Sequence, residues 1–270
     1  MPLSPLRDVI ARHGLDARRS LGQHFLLDAN LTARIARCAG DLTGRHVIEV
    51  GPGPGGLTRA LLESSAVDVT AIELDRRAVA AVTELAEQSE GRLRVIEGDA
   101  LSFDLTDLVP APRHIVANLP YNVASPLLVT WLRQAAAFER LTLMFQLEVA
   151  ERICAAPGTE AYGRLSVLAD WTCETDVALR IPPTAFVPPP KVWSAVVTLT
   201  PRPIQPDAPL FARMERLTAA AFGQRRKMLR GSLKSLGGEA LLRAADINPE
   251  RRAETLSTAE FERLVHLIPA

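Results

Sequence analysis

HVIEVGPGPGG, residues His46 to Gly56, decides the fold. An apolar run with β-branched side chains feeds directly into a turn of alternating glycine and proline, and Leu57 to Glu63 beyond it carries helical spacing. Strand, glycine loop and helix in that order open a nucleotide-binding α/β unit. Gly51, Gly53 and Gly56 also satisfy the dinucleotide spacing, although a plain glycine-rich turn fits those three residues alone equally well.

Working outward, the apolar run Val69 to Ile72 predicts a second strand ending in Glu73, where a carboxylate can accept from both ribose hydroxyls of a nucleoside cofactor. A third run, Leu93 to Ile96, leads to Gly98 and Asp99, and an acid there can accept from an adenine amino group. A fourth, Arg113 to Ala117, reads as a buried strand that delivers Asn118, Leu119, Pro120 and Tyr121. Each feature has a plainer explanation: a solvated acid at a strand end, or a turn made of Asn and Pro. In an open doubly wound sheet, however, strand ends converge on the ligand, so four in register are read together.

Asn118 to Tyr121 suits methylation of an exocyclic amine. The lone pair of such a nitrogen is delocalised into the base, and acceptors aimed at its N–H bonds favour the pyramidal, electron-rich form in the transition state. The candidate acceptors are the Asn118 side-chain oxygen and the Leu119 carbonyl. Pro120 contributes no N–H and restricts Leu119 to extended backbone, and Tyr121 offers a ring for stacking. With Glu73 and Asp99 the set suggests S-adenosylmethionine, whose lack of phosphate leaves the glycines to permit close backbone approach.

Arg19 to Asp28 (RSLGQHFLLD), Val50 to Thr58 (VGPGPGGLT), Ile72 to Asp75 (IELD), Asn118 to Asn122 (NLPYN), Ala161 to Ser166 (AYGRLS), Phe186 to Ala195 (FVPPPKVWSA) and Phe222 to Leu229 (FGQRRKML) together resemble the ribosomal RNA adenine dimethyltransferases, especially the bacterial branch acting near the 3′ end of 16S rRNA. The resemblance implies a Rossmann-like α/β methyltransferase domain with a seven-stranded sheet and a small C-terminal helical domain, divided at about residues 202 and 203. It implies S-adenosyl-L-methionine contacts from His24, Leu26, Gly51, Gly53, Glu73, Leu74, Asp99, Ala100 and Asn118; many relatives carry Asn at the position of His24. Asn118, Leu119, Tyr121 and Phe186 would form the catalytic group, with Phe186 sandwiching the target adenine opposite Tyr121. A packed anchor ahead of Pro188, Pro189 and Pro190 is the plainer reading of Phe186.

The chain has 270 residues, 47% hydrophobic and 23% charged, enough for one large domain and a small one. There is no eighteen-residue apolar run and no secretory pattern at the start, so cytoplasmic residence is expected. Cys38, Cys154 and Cys173 are widely spaced, suit no metal and are expected as buried apolar fillers.

A formal charge of +0 argues at first against RNA, but charge is segregated along the chain. Asp41 to Pro110 has six Lys or Arg against thirteen Asp or Glu, whereas Phe211 to Lys234 has seven against one. Arg225, Arg226, Lys227 and Arg230 are expected on a helix from Leu210 to Leu236, with Arg226 and Arg230 on one face as a phosphate track; a solvated basic face is the alternative. Further strands are expected near Leu141 to Phe145, Ser166 to Thr175 and Ser194 to Thr200, and a lid-like segment at Arg18 to Phe25.

The partner this implies is 16S rRNA within the small ribosomal subunit, approached by a monomer without membrane or metal. A 23S rRNA methyltransferase of the antibiotic-resistance type and a non-catalytic ribosome assembly factor are the competing readings. A nicotinamide dehydrogenase rests only on the three glycines and Glu73 and lacks a hydride-transfer constellation.

Overall fold

The computed structural model describes residues 3–15, 24–224 and 227–269. The strands are β1 (Phe25–Leu26), β2 (His46–Val50), β3 (Asp68–Glu73), β4 (Leu93–Glu97), β5 (Arg113–Asn118), β6 (Arg140–Gln146), β7 (Cys173–Ile181), β8 (Phe186–Val187) and β9 (Ser194–Pro201). Seven of them form one sheet in the order β4-β3-β2-β5-β6-β9-β7, and β1 pairs with β8 in a separate two-stranded ribbon. β4, β3, β2, β5 and β6 run parallel to one another, and β9 runs antiparallel to β6. This is the expected seven-stranded α/β sheet.

The sequence explains which strands are central. β2, β3, β5 and β6 are buried along nearly their whole length, as continuous apolar runs are when helices cover both faces of a parallel sheet. β7 at one edge alternates exposed and half-buried residues, and β4 at the other carries exposed Arg94 and Glu97, charges that discourage edge-to-edge pairing. Two of the helices that follow strands start with side-chain caps. Asp28 caps Ala29–Cys38 through the Asn30 and Leu31 amides, and Asp75 caps Arg76–Ala86 through the Arg77 amide.

The described residues divide into two compact units. The first runs to Thr130 and adds Ala136–Ala150 and Asp176–Thr200; it contains most of the sheet. Its core joins Val47, Val69 and Val116 from the sheet with Leu57, Leu61, Val82 and Leu85 from the covering helices. The second takes Trp131–Ala135, Glu151–Thr175 and the described residues from Pro201 onward. Here Trp171 stacks on Phe211 with ring centroids 6.1 Å apart, Phe222 stacks on Phe261 at 5.7 Å, and Glu215 holds Arg133 and Arg164 at 2.9 and 3.1 Å.

Three expectations are corrected. The strand expected over Ser166 to Thr175 is instead the helix Arg164–Thr172 followed by β7. Its apolar run has no period that separates strand from helix, and the Gly163 amide donates to Ser166 Oγ at 3.0 Å where the helix starts. The helix expected from Leu210 to Leu236 ends at Phe222, where its buried stripe of Phe211, Met214, Leu217 and Ala221 runs into Gly223 and, among the described residues, finds no buried apolar successor before Leu229. Leu229–Ser232 and Gly238–Ala244 are separate short helices. Of the cysteines only Cys173 is buried, while Cys38 and Cys154 are half-buried.

Candidate active site

The carboxyl ends of β2, β3 and β5 meet at a cavity of about 380 Å³, within the range of small-molecule sites. The turn Gly51 to Gly56 forms one wall, Glu73 to Arg76 a second, Asn118 to Val123 a third, and His24 to Leu26 lies across them. Two glycines let these walls approach. Gly53 has φ +56°, and a Cβ there would sit 3.2 Å from the Phe25 ring. At Gly56 a Cβ would come within 2.6 Å of the Leu26 carbonyl oxygen, so no side chain fits unless the backbone moves.

Glu73 is locked in place by three main-chain amides. Its Oε2 accepts from Gly53 at 3.1 Å, and its Oε1 accepts from Leu74 at 2.8 Å and Asp75 at 2.9 Å. Burial pushes this carboxyl above its usual range, and the three amides oppose the push. A carboxylate so held is oriented toward the cavity before any ligand arrives. Leu74 beside it is exposed and forms part of the wall.

Asn118 ends β5, and its Nδ2 donates to the His24 carbonyl at 3.4 Å, which leaves the side-chain oxygen as an acceptor. Leu119 is buried on the same wall. The Tyr121 hydroxyl and the Ser194 hydroxyl share a hydrogen bond at 2.7 Å, and burial pushes the phenol above its usual pKa, so it stays protonated at neutral pH.

Phe186 is placed differently from the expectation that it faces Tyr121 across a base. It is fully buried, pairs with Leu26 in the β1–β8 ribbon and is absent from the cavity wall. The His24 ring lies beside both aromatics, 5.6 Å from Tyr121 and 6.4 Å from Phe186 by ring centroids, and its Nδ1 meets the Pro188 carbonyl at 2.8 Å. Asp99 also lies off the cavity wall; its side chain accepts from the Leu101 amide at 3.0 Å, capping the short turn that begins at buried Ala100.

Arg225 and Arg226 lie outside the described residues. Lys227 is exposed in a bend, and Arg230, half-exposed, approaches Glu250 at 3.7 Å. Arg230 thus occupies a separate short helix rather than continuing Ala208–Phe222.

Sequence reasoning missed Glu49. This β2 residue is 1% exposed and lines the cavity, and its Oε2 has no hydrogen-bond partner. Burial pushes its carboxyl up to about 8; the Thr58 hydroxyl opposes the rise and the Glu73 charge adds to it. The available signal was a lone acid in an otherwise apolar buried strand. Asp75, Arg76 and Asn122 also line the cavity without having been singled out for it.

The sequence model described as Ribosomal RNA adenine dimethylase matches residues 14–269. The chain belongs to this family. This dimethylase is 64% identical over 265 residues to the ribosomal RNA small subunit methyltransferase A of Gluconobacter oxydans, covering 98% of this chain and 88% of the relative. It is 58% identical to the protein of that name from Rhodospirillum rubrum, covering 99% and 93%. Among solved structures, a dimethyladenosine transferase from Plasmodium falciparum superposes with a TM-score of 0.76 at 27% identity, covering 89% of this chain and 96% of the other. The 23S rRNA methyltransferase ErmE gives 0.67 at 28% identity, covering 90% and 98%. Among the described residues, no helix is long and apolar enough to cross a membrane, and no group of three or more His, Cys, Asp or Glu could hold a metal ion.

Proposed function

We propose that this dimethylase transfers methyl groups from S-adenosyl-L-methionine to N6 of two adjacent adenosines near the 3′ end of 16S rRNA, acting as a cytoplasmic monomer on the small ribosomal subunit during its biogenesis. The observation that carries the reading is the sharing of one cavity by Glu73, the Gly51–Gly56 turn and the Asn118–Tyr121 stretch. The residues fit the cofactor: at Gly53 and Gly56 the turn packs too closely for a side chain, an amide-held carboxylate suits a ribose diol, and a buried carboxyl oxygen without a partner suits a cationic ligand.

The cofactor, when bound, supplies an electrophilic methyl group on a sulfonium. The chain's own residues bind and orient. Glu73, with lone pairs remaining beyond its three amide donors, accepts from the ribose hydroxyls. His24, Leu26, Gly51, Gly53 and Leu74 shape the rest of the pocket, and Asp99 and Ala100, in the short turn that follows β4, are assigned to the adenine end of the cofactor. The Asn118 side-chain oxygen and the Leu119 carbonyl accept the two N–H bonds of the target amine, strengthening as the nitrogen becomes pyramidal. Tyr121 stacks on the adenine, which is flipped out of or already free of pairing. An adenine set against both Tyr121 and Phe186 displaces the His24 ring from its place beside them. No strong base is required, because the amine becomes acidic only after alkylation.

The C-terminal helical segment from residue 203 onward, through Arg225, Arg226, Lys227 and Arg230, holds RNA phosphates. Incubating the protein with tritiated S-adenosylmethionine and unmethylated small subunits, large subunits or naked RNA, followed by nucleoside analysis, tests the proposal. Dimethyladenosine from small subunits is the expected product. Label on large subunits instead would make the chain a 23S rRNA enzyme, and binding without label an assembly factor.

A further inference from the structure

Val187, Val192 and Trp193 are large hydrophobic side chains left exposed in one short stretch, between buried Phe186 and buried Ser194. Trp193 is the unusual member. At 48% exposure it is the only aromatic among the exposed large hydrophobics of the described residues, whereas Trp131 and Trp171 are 2% and 7% exposed. Trp171 stacks on Phe211 and donates from its indole to Glu262 at 3.2 Å; among the described residues the Trp193 indole has neither a ring contact nor a hydrogen bond. Single exposed hydrophobics are ordinary, but a cluster that includes an indole without a partner marks a binding surface.

Its place in the fold narrows what binds there. The Trp193 carbonyl accepts from the Leu147 amide at 2.8 Å, one step beyond the Gln146–Ser194 pair that opens β9, so its main chain is fixed at the carboxyl rim of the sheet. The very next residue, Ser194, holds the Tyr121 hydroxyl at 2.7 Å. Trp193 itself lies off the cavity wall and is therefore not a second face for a base inside the cavity. Lys191, two residues before it, is exposed and makes no ion pair among the described residues, which leaves a cation beside the ring.

We infer that Trp193 is a stacking platform for the nucleobase next to the target, the other of the two adjacent adenosines, with Lys191 meeting a phosphate of the same strand. The inference deepens the RNA reading above and rests on it. An adenine turned into the cavity no longer covers its neighbour in the strand, and the face it uncovers is a π-surface without a partner. An indole is wide enough to replace the lost neighbour, and a cation nearby suits the backbone that joins the two nucleotides. Because Trp193 and Ser194 are consecutive, one fixed strand start steadies Tyr121 for the base inside the cavity and presents a ring to the base left outside.

Methyl transfer from tritiated S-adenosylmethionine to unmethylated small subunits, with kcat and KM measured separately, reads the effect. Trp193→Ala should raise KM for the subunit roughly fivefold to a hundredfold, with kcat, cofactor affinity and melting temperature close to wild type. Trp193→Phe keeps a stacking face and should stay near wild type, whereas Trp193→Leu keeps apolar bulk without such a face and should behave as the Ala variant does. The base is tested in small subunits assembled with 16S rRNA ligated to a synthetic 3′ piece, in which an abasic nucleotide replaces one or the other of the two adenosines. On at least one of these two substrates, transfer to the remaining adenosine should no longer distinguish Trp193→Ala from wild type.

An Ala variant with the wild-type KM overturns the inference. So does an Ala penalty undiminished on both abasic substrates. A Leu variant as good as the Phe variant also overturns it, because the patch would then be an apolar contact to a ribosomal protein. Should Trp193→Ala melt well below wild type, the contrast between Phe and Leu decides in its place. A wild-type chain that transfers no methyl to small subunits removes the RNA reading itself, and this inference with it.

Discussion

The Asn118 side-chain amide donates to the main-chain carbonyl of His24, 94 residues away in sequence, at 3.4 Å. That bond fixes which end of the amide is the donor, and it leaves the oxygen as an acceptor on the cavity wall. Asn118→Ala should therefore bind RNA as before while single-turnover methyl transfer falls by about a hundredfold to a thousandfold, the usual cost of removing a transition-state hydrogen-bonding group. Transfer at the wild-type rate, measured as tritium incorporated into RNA, would show that Asn118 plays no part as acceptor.

Glu73→Gln keeps the shape of the side chain but removes the charge that faces three amides. Hydrogen bonds to charged groups contribute about 1.5–3 kcal/mol. Cofactor affinity should fall roughly tenfold to a hundredfold by calorimetry, with RNA affinity unchanged; equal cofactor affinities would place the nucleoside elsewhere.

Gly56→Ala places a methyl 2.6 Å from the Leu26 carbonyl, and the obstacle is backbone rather than a flexible side-chain end. The expected cost is about 1–3 kcal/mol, visible in scanning calorimetry as a melting temperature lower by several degrees. An unchanged melting temperature would mean that β1 can move away from the helix Gly56–Leu62 at no cost.

Glu49 also makes a prediction about stability. Its folded-state carboxyl lies above its unfolded value, so the folded chain holds the proton more tightly. Stability should be fullest below about pH 4.5 and decline as pH rises through about 8 as far as this group is concerned. Glu49→Gln should flatten the decline and melt higher than wild type above about pH 8, with a residual slope from Glu73, which is shifted in the same direction. Parallel melting curves for the two proteins across that range would contradict the burial of an unpaired carboxyl.

Lys227 and Arg230 are exposed or half-exposed, and the approach of Arg230 to Glu250 at 3.7 Å is a surface pair that contributes little to stability. Replacing both with Gln should leave the melting temperature in place. The slope of log affinity for RNA against log salt should become shallower by about 0.7 to 0.9 for each phosphate that is no longer neutralised. A slope equal to that of the wild type would mean that these charges face solvent in the complex.

The sheet was legible because its central strands are buried on both faces, and each ends in a residue that strand geometry alone would not select: glycine after Val50, Glu73 after Ile72, Asn118 after Ala117. The run from Arg164 to Ile181 was not legible as helix then strand, since Val167, Leu168, Ala169 and Trp171 are all buried and burial erases the helical period. The break after Phe222 was concealed by residues with good helix propensity, when the missing apolar stripe was the better guide. Glu49 was overlooked although a lone acid in an otherwise apolar strand is a signal; that its Oε2 lacks a partner follows from the packing around it and is not legible in the sequence.

The antiparallel direction of β9 has one more consequence. Because it runs against β6, the pairing of Ser194 with Gln146 brings the beginning of β9 to the rim where its neighbours finish, and there Ser194 holds the Tyr121 hydroxyl. A strand of the opposite polarity in that slot would deliver Pro201 to the rim, and a proline ring has no hydroxyl with which to fix a phenol. The reversal in chain direction thus lets a single sheet steady Tyr121, just past β5, from a strand two places along.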